Sequence, residues 1–300
     1  MRGRLHSRAR DAAAISHHYD VGNDFCRLVL GESLVYSCAY FSAPEASLAS
    51  AQTDKMELIC RKLRLRPGER LLDVGCGWGS LAIHAAKHHG VSVVGVTLSK
   101  EQAELAEKRA AEEGVADRVT IRLQDERDVD DGPYDAVSSV GMFEHVGSET
   151  RLAEYFGHLH ELLRPQGRLL NHGIANPFGR KTRFDKRGFG ARYVFPDGEL
   201  HEVGRTISLI QRAGFEVRDL ENLREHYGMT LRRWVANLEA NRDACVALAG
   251  EGRFRVWHLY MSVSARSFER GDLQVHQVLA ARSDGGRAGV PLRRADIVLA

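Results

Sequence analysis

The stretch from Leu71 to Ser80, LLDVGCGWGS, constrains the fold more than any other part of the chain. An apolar run suited to one buried strand ends at an acidic residue and a glycine-rich turn, and a helix-competent segment follows at once. Gly75, Gly77 and Gly79 allow backbone amides to approach a ligand closely. The pattern predicts a strand, a cofactor loop and a helix, and the alternative is a tight turn without a ligand.

The glycine spacing and the end of the next strand separate the possible cofactors. A G-x-G-x-G turn occurs in folds that bind nicotinamide, flavin or S-adenosylmethionine (SAM). Dinucleotide folds usually show G-x-G-x-x-G and an acidic residue about twenty positions later, but the next strand here ends in Thr97-Leu98-Ser99. Gln102 is the nearest residue that could hold a ribose diol, although Ser99 and Gln102 also match a capping box. Both roles remain open.

From Glu69 onward, strand-like and helix-like stretches alternate. Such alternation predicts an α/β fold with a parallel, doubly wound sheet. Ligands of these sheets bind outside the carboxyl ends of the strands. The predicted strands cover 70–74, 91–96, 119–123, 134–140 and 167–174, and the helices between them cover 79–89, 99–114 and 148–163.

Further elements are predicted on both sides of this region. Short helices over 9–30 and 47–64 are expected to cap the carboxyl ends of the strands. Residues 175–197 are polar and rich in glycine and arginine, which predicts a mobile lid. Strands at 215–220 and 272–280 are predicted to pair as an antiparallel hairpin at the sheet edge.

Two helices are predicted between those last strands, at about 229–248 and 252–269. The second presents several large side chains on one face. Core packing explains most of them, and the alternative is the wall of an apolar channel for a long substrate. These side chains belong to Trp257, Tyr260, Met261, Ser264 and Phe268.

The length of 300 residues and the apolar fraction of 43% suit one large domain. We predict a single domain over 1–300 without internal repeats. Its parts are an N-terminal helical cap (1–66), a cofactor-binding core (67–174), a lid with substrate-binding helices and the C-terminal hairpin (175–281), and a flexible tail (282–300).

Charge and cysteine usage narrow the function classes. A net charge of +2 does not demand a nucleic-acid partner, and arginines concentrated in the first ten residues predict either a solvated tail or an anchor for an anionic lipid surface. No apolar segment reaches the roughly 18 to 20 residues of a membrane span. The five cysteines show no CxxC spacing, which argues against a disulfide framework or a zinc site and favours a reducing cytoplasm.

A carboxylate follows the predicted fourth strand, within the stretch from Gly141 to Gly147, GMFEHVG. Glu144 would lie within reach of a cofactor over the strand ends. There it could accept a proton or hold a proton acceptor. The alternative is a capping or pairing role within the loop.

Several separated motifs together resemble one family. They are HYDVGNDF (18–25), YSCAYF (36–41), LLDVGCGWGS, VGVTLS (94–99) and VGMFEHVG (140–147). In this order they resemble the cyclopropane-fatty-acyl-phospholipid synthases and the related mycolic-acid cyclopropane synthases, from about residue 16 to about 281. The resemblance implies a class I SAM-dependent methyltransferase fold, which is a Rossmann-like mixed seven-stranded sheet with a helical cap over the strand ends.

The activity implied by the resemblance is methyl transfer from SAM to the cis double bond of a lipid acyl chain, followed by proton loss to a bound bicarbonate. Aromatic faces would stabilise the positive charge on the chain. The resemblance places Tyr19 and Tyr227 near the reacting centre. It assigns the bicarbonate to Cys38, Glu144, His172, the backbone of Ile174, and Tyr227.

The resemblance also assigns the SAM site and the partners. We expect an unsaturated phospholipid or acyl-carrier substrate, a peripheral membrane surface on the cytoplasmic side, a possible homodimer, and neither nucleic acid nor a resident metal. The SAM residues are Tyr36, Ser37, Asp73, Gly75, Gly77, Gly79, Thr97, Gln102, Asp125 and Glu126.

The chain departs from the family pattern in three places, and other functions remain open. We expect no counterpart of the N-terminal domain found in long members, Ser264 stands where the resemblance implies a cysteine, and the lid matches poorly. The product could be methyl- or methylene-branched instead of cyclic. A small-molecule C- or O-methyltransferase, or a non-enzymatic nucleic-acid or membrane-surface binding protein, would be a different class.

Overall fold

One seven-stranded sheet forms the centre of the molecule. The computed structural model describes residues 22–177 and 198–298, with single residues 8, 10, 179, 188, 189 and 193. The strand order is β3-β2-β1-β4-β5-β7-β6. The strands are β1 (Arg70–Val74), β2 (Ser92–Thr97), β3 (Val119–Leu123), β4 (Tyr134–Val140), β5 (Leu163–Ala175), β6 (Glu216–Asn222) and β7 (Gln274–Ala281).

The sheet is mixed. Strands β1 to β5 pair parallel with one another, as the alternating sequence pattern predicts. The last two strands pair antiparallel, and β7 lies between β5 and β6 because it also pairs antiparallel with β5. The predicted mixed seven-stranded sheet is therefore confirmed.

Helices cover both faces of the sheet. Ser47 and Ser99 cap two of them, because each hydroxyl accepts a hydrogen bond from a backbone N–H of the first turn. The helices are α1 (Asn23–Leu30), α2 (Leu48–Lys62), α3 (Ser80–His89), α4 (Lys100–Glu112), α5 (Phe143–Val146), α6 (Glu149–Leu162), α7 (Val203–Arg212), α8 (Arg224–Ala240), α9 (Arg242–Arg270) and α10 (Arg294–Val298).

The core consists of a layer on each side of the sheet and a third apolar cluster. Leu71 packs with the helices α2 to α4, whereas Leu72 packs with α6 and α7. Successive strand residues point to opposite faces, so burial on both faces explains the continuous apolar run at β1. The third cluster joins α1, α8 and α9.

Some predicted boundaries differ from the structure. β5 begins four residues before the predicted position 167. The two long helices meet at Asn241, and Gly250 interrupts the second with non-helical dihedral angles. Of the predicted helix over 9–30, the described residues show α1. Most of the predicted lid over 175–197 lies outside the described residues.

In the segment predicted as a flexible tail, two residues of α10 contact the rest of the protein. Ile297 is buried in the cluster beneath α2 to α4. Arg294 donates a hydrogen bond from Nε to Oδ1 of Asp219 at 2.6 Å. These contacts attach α10 to the body of the protein, whereas most residues of 283–296 are exposed. Within the described part of the chain, no helix has the length and apolar character needed to cross a bilayer.

Candidate active site

The glycine turn after β1 opens a cleft at the carboxyl ends of the strands. Gly75, Gly77 and Gly79 all have positive φ angles, of 73°, 55° and 74°. A Cβ on Gly75 would lie 3.3 Å from Cβ of Met142, and one on Gly79 would lie 3.0 Å from Cβ of Ala106. The turn therefore requires glycine for its backbone, and Gly79 also allows α3 to approach α4.

Eight of the ten residues predicted for SAM line this cleft, which we call the glycine-turn cleft. The other two, Gly79 and Asp125, lie outside its lining. Gly79 packs against α4, and Asp125 accepts a hydrogen bond from Nε of Arg127 at 2.7 Å. The eight lining residues are Tyr36, Ser37, Asp73, Gly75, Gly77, Thr97, Gln102 and Glu126.

Two buried acids face the glycine-turn cleft. Asp73 is the last residue but one of β1 and accepts a hydrogen bond from the Ser138 hydroxyl at 2.7 Å, and burial raises its pKa to about 6. Burial and the nearby Asp125 raise the pKa of Glu126 to about 7. Carboxylates at these positions can accept hydrogen bonds from an ammonium group or from ribose hydroxyls.

Ser99 and Gln102 form only half of the predicted capping box. The Ser99 hydroxyl accepts a hydrogen bond from the backbone N–H of Gln102 at 3.3 Å, which caps α4. The Gln102 side chain does not complete the capping box, because its Oε1 accepts from the Thr97 hydroxyl at 2.9 Å. Gln102 is left facing the cleft, where the ribose role was predicted.

A second cavity, of about 310 Å³, adjoins the cleft. We call it the apolar cavity, because most of its lining side chains are aliphatic or aromatic. It shares four lining residues with the glycine-turn cleft: Tyr36, Ser37, Gly141 and His145. All five residues predicted to hold bicarbonate line it, namely Cys38, Glu144, His172, Ile174 and Tyr227.

Glu144 lies on α5, directly after β4. Its Oε1 accepts a hydrogen bond from the backbone N–H of Ile174 at 2.7 Å. Its Oε2 is buried and has no hydrogen-bond partner among the described residues. Burial raises the pKa of this carboxyl to about 7. Among the described residues that line the apolar cavity, Glu144 is the only acid.

His172 presents two more unpartnered polar atoms. Both ring nitrogens are buried without a hydrogen-bond partner in the described part of the chain. Burial, with Lys55 and Lys62 nearby, holds the pKa of His172 well below its ordinary value, so the ring is neutral. Buried polar groups are normally hydrogen-bonded. Glu144 Oε2 and the His172 ring therefore fit a small polar occupant such as bicarbonate.

Cys38 is fully buried at the wall of the apolar cavity. Its thiol donates to the carbonyl oxygen of Ala39 at 3.2 Å. Burial raises the pKa of the thiol far above its ordinary range, so the side chain stays protonated. A thiolate at this position is therefore not available as a base.

Aromatic rings surround the apolar cavity. The rings of Tyr227 and Phe268 lie 4.6 Å apart, and Tyr36 stacks on Trp257 at 5.8 Å. On α9, Tyr260, Ser264 and Phe268 line the cavity, whereas Trp257 and Met261 are buried in the core. The helix face predicted as core or channel wall is divided between the cavity lining and the core. Tyr19 lies outside the described residues.

Ser264 replaces the cysteine often found in the family. It lines the apolar cavity and forms a hydrogen bond with the Tyr260 hydroxyl, which also bonds to Tyr36. Burial raises the pKa of Tyr260 to about 12. A covalent thiol step is therefore excluded at position 264, and the serine takes part in a hydrogen-bonded wall.

The sequence did not single out Lys55 or His145 as site residues. His145 lines both the glycine-turn cleft and the apolar cavity, and Lys55 lines the cleft. The Lys55 ammonium is buried and donates to the Ser37 hydroxyl at 2.9 Å, and among the described lining residues of the glycine-turn cleft it is the only lysine or arginine. Burial lowers the pKa of Lys55 to about 8. The sequence signal that could have indicated a buried lysine is its spacing, because Lys55 lies four residues before Ile59 and therefore on the apolar face of α2.

Comparisons with known proteins agree with this geometry. Residues 6–278 match the mycolic acid cyclopropane synthetase family. The chain is 51% identical over 292 residues to a probable fatty acid methyltransferase of Mycobacterium tuberculosis, covering 97% of this chain and 68% of that protein. It is 38% identical to the cyclopropane-fatty-acyl-phospholipid synthase of Escherichia coli K12, covering 93% and 70%.

Solved structures show the same relation. Mycolic acid cyclopropane synthase CmaA1, complexed with S-adenosylhomocysteine (SAH) and CTAB, is 34% identical with a TM-score of 0.83, covering 90% of this chain and 97% of that one. Cyclopropane synthase MmaA2 from Mycobacterium tuberculosis is 31% identical with a TM-score of 0.85, covering 93% and 99%. The predicted family resemblance is confirmed. The chain belongs to the mycolic acid cyclopropane synthetase family and is a SAM-dependent methyltransferase.

Proposed function

We propose that this enzyme methylates a carbon of the cis double bond in an unsaturated lipid acyl chain and then removes one proton, giving a cyclopropane fatty acyl product. The net change is a gain of CH₂. The observation that carries the proposal is the apolar cavity, whose described lining has a single buried acid and which opens into the glycine-turn cleft. A mostly apolar lining of this size suits a long acyl chain as the methyl acceptor.

SAM would supply an electrophilic methyl group when held in the glycine-turn cleft. The residues of the apolar cavity would exclude water, which matters because an alkene is a weak nucleophile and its cation is quenched by water. Tyr36, Tyr227, Tyr260 and Phe268 surround the space where positive charge develops. A desolvated cation over an aromatic face gains about 2 kcal/mol.

We propose bicarbonate as the base, held by Glu144, His172 and the Tyr227 hydroxyl. The support is the set of unpartnered buried atoms, Oε2 of Glu144 and both nitrogens of His172. An ionised Glu144 would accept the bicarbonate O–H, and one ring N–H of His172 would donate to a second oxygen. Cys38 would either donate its backbone N–H to the bicarbonate or only form part of the cavity wall, because its thiol stays protonated.

A branched product is a second candidate for the same first step. It is favoured by relatives at 51% and 45% identity that are named probable fatty acid methyltransferases. Migration of a hydride before proton loss would give a methylene-branched chain with the same mass. We further propose that the substrate is a phospholipid or acyl carrier met at the cytoplasmic membrane surface.

The test is product identification. Purified enzyme receives methyl-labelled SAM and vesicles of a cis-monounsaturated phospholipid, with a saturated phospholipid as control and with bicarbonate present or removed. We expect label in the unsaturated acyl chain alone, in a bicarbonate-dependent manner, and NMR distinguishes ring from branch. Label in the head group, or equal label in both lipids, would contradict the proposal.

A further inference from the structure

The helices α2 and α3 bring together a cluster of metal-ligand side chains away from the glycine-turn cleft. Cys60, His84 and His89 each place one donor atom within 4.8 Å of the other two. Glu57 joins them, because its Oε2 accepts hydrogen bonds from Nε2 of His84 at 3.2 Å and Nε2 of His89 at 3.0 Å. None of the four lines the glycine-turn cleft or the apolar cavity.

We propose that Cys60, His84, His89 and Glu57 form a binding site for a divalent transition metal ion, with Zn²⁺ the preferred ion. One thiolate, two imidazoles and one carboxylate are all ordinary zinc ligands. The mixed N, S and O set disfavours Mg²⁺ and Ca²⁺, which prefer oxygen ligands.

The distances suit tetrahedral coordination. With metal–ligand bonds of roughly 2.0–2.3 Å, neighbouring ligand atoms lie about 3.3–3.8 Å apart. The two Glu57–imidazole distances already lie close to that range. The donor atoms within 4.8 Å of one another would need to approach by about 1 Å, which side-chain rotation on two packed helices can supply.

Burial and access also suit an ion. Cys60 is fully buried and His84 nearly so, whereas the side chains of His89 and Glu57 are 17% and 29% exposed, which leaves a route from solvent. A metal ion bound by the Cys60 thiolate would displace the thiol proton.

The ion-free alternative is that Glu57 simply satisfies two histidines and Arg61, to which it also bonds at 2.7 Å. Sequence spacing could not reveal the cluster, because its residues come from two helices and contain no CxxC pair. A bound ion would link α2, which carries Lys55, to α3, which begins directly after the glycine turn.

The test uses the chelator-treated full chain titrated with Co²⁺. We expect one equivalent to bind with a thiolate-to-cobalt charge-transfer band and tetrahedral d–d absorption, and Zn²⁺ to displace it. Cys60→Ser should abolish the charge-transfer band, and His89→Gln should weaken binding by about tenfold or more. His258→Gln is the control, since this histidine on α9 pairs with Glu239 and lies outside the cluster.

Three outcomes would overturn the proposal: no stoichiometric Co²⁺ binding, a charge-transfer band that survives Cys60→Ser, or a His258→Gln effect as large as that of His89→Gln. If Cys60→Ser fails to fold, the Co²⁺ affinity of His89→Gln still tests the proposal, because His89 is partly exposed and its replacement leaves the core intact. Binding of SAH to each variant serves as the check that the glycine-turn cleft is intact.

Discussion

Glu144 is a buried acid, and burial disfavours the ionised form of its carboxyl group. One oxygen is fixed by the Ile174 amide, and the other has no partner among the described residues. Burial therefore raises its pKa to about 7. A carboxyl that titrates near neutrality can hold a proton acceptor at physiological pH.

The raised pKa makes protein stability depend on pH. The unfolded chain holds this proton up to about pH 4.5 and the folded chain up to about 7, so ionised Glu144 destabilises the fold as pH rises between those values. We expect Glu144→Gln to be more stable than wild type by about 3 kcal/mol at about pH 8, and to show little difference near pH 4. Urea unfolding at both pH values measures this, and equal differences at both would contradict it.

Lys55 is the corresponding positive group of the glycine-turn cleft. Its ammonium lies beside Ser37 and within electrostatic range of Asp73 and Cys38. Its hydrogen-bond acceptor is the neutral Ser37 hydroxyl, so a cofactor carboxylate would add a charged partner.

Replacing Lys55 by Met should weaken SAH binding without unfolding the protein. A hydrogen bond to a charged group contributes about 1.5–3 kcal/mol, so we expect a loss in affinity of about tenfold or more. Titration calorimetry measures it, and Lys87→Met, at an exposed lysine on α3, is the control. Unchanged SAH affinity in Lys55→Met would show that Lys55 does not pair with the cofactor carboxylate.

At the scale of elements, the position of α5 depends on its contact with β5. A Cβ on Gly173 would lie only 1.8 Å from Cε1 of Phe143. The Phe143 ring therefore packs directly on the backbone of β5, and this contact sets the place of the neighbouring Glu144.

Gly173→Ala should displace α5. We expect a loss of about 1–3 kcal/mol in the free energy of unfolding, as for overpacked cores, and a drop in turnover larger than the drop in SAH affinity. Gly157→Ala on α6 is the matched control, because a Cβ there meets nothing within 4 Å. Wild-type turnover in Gly173→Ala would show that α5 does not depend on this contact.

The strands were the most predictable elements, and long-range side-chain contacts were the least. The bounds of β1, β3 and β4 match their predictions, because each is an apolar run between turn residues. The early start of β5 was missed because Pro165 and Gly167 interrupt its sequence. The packing of α10 was missed because 282–300 is polar and its contact with Asp219 spans a long sequence distance.

At the scale of the whole molecule, the sheet order decides where the chemistry can occur. β1 and β4 are neighbours, so the glycine turn after β1 and Glu144 after β4 meet at one edge. The insertion of β7 beside β5 places the helices α8 and α9 over that edge, where they close the apolar cavity. The family motifs found five cavity residues, whereas Lys55 and the Cys60 cluster carry no motif and depend on the fold.

The most direct test of the account separates cofactor binding from turnover in Glu144→Gln. We expect SAH affinity within about twofold of wild type and a loss of acyl-chain methylation of about 10²-fold or more, as for removal of an acid–base group. Glu149→Gln, at an exposed acid paired with Arg205, should leave both quantities unchanged. Retained methylation with lost SAH binding in Glu144→Gln would contradict the assignment of Glu144 to the reacting centre.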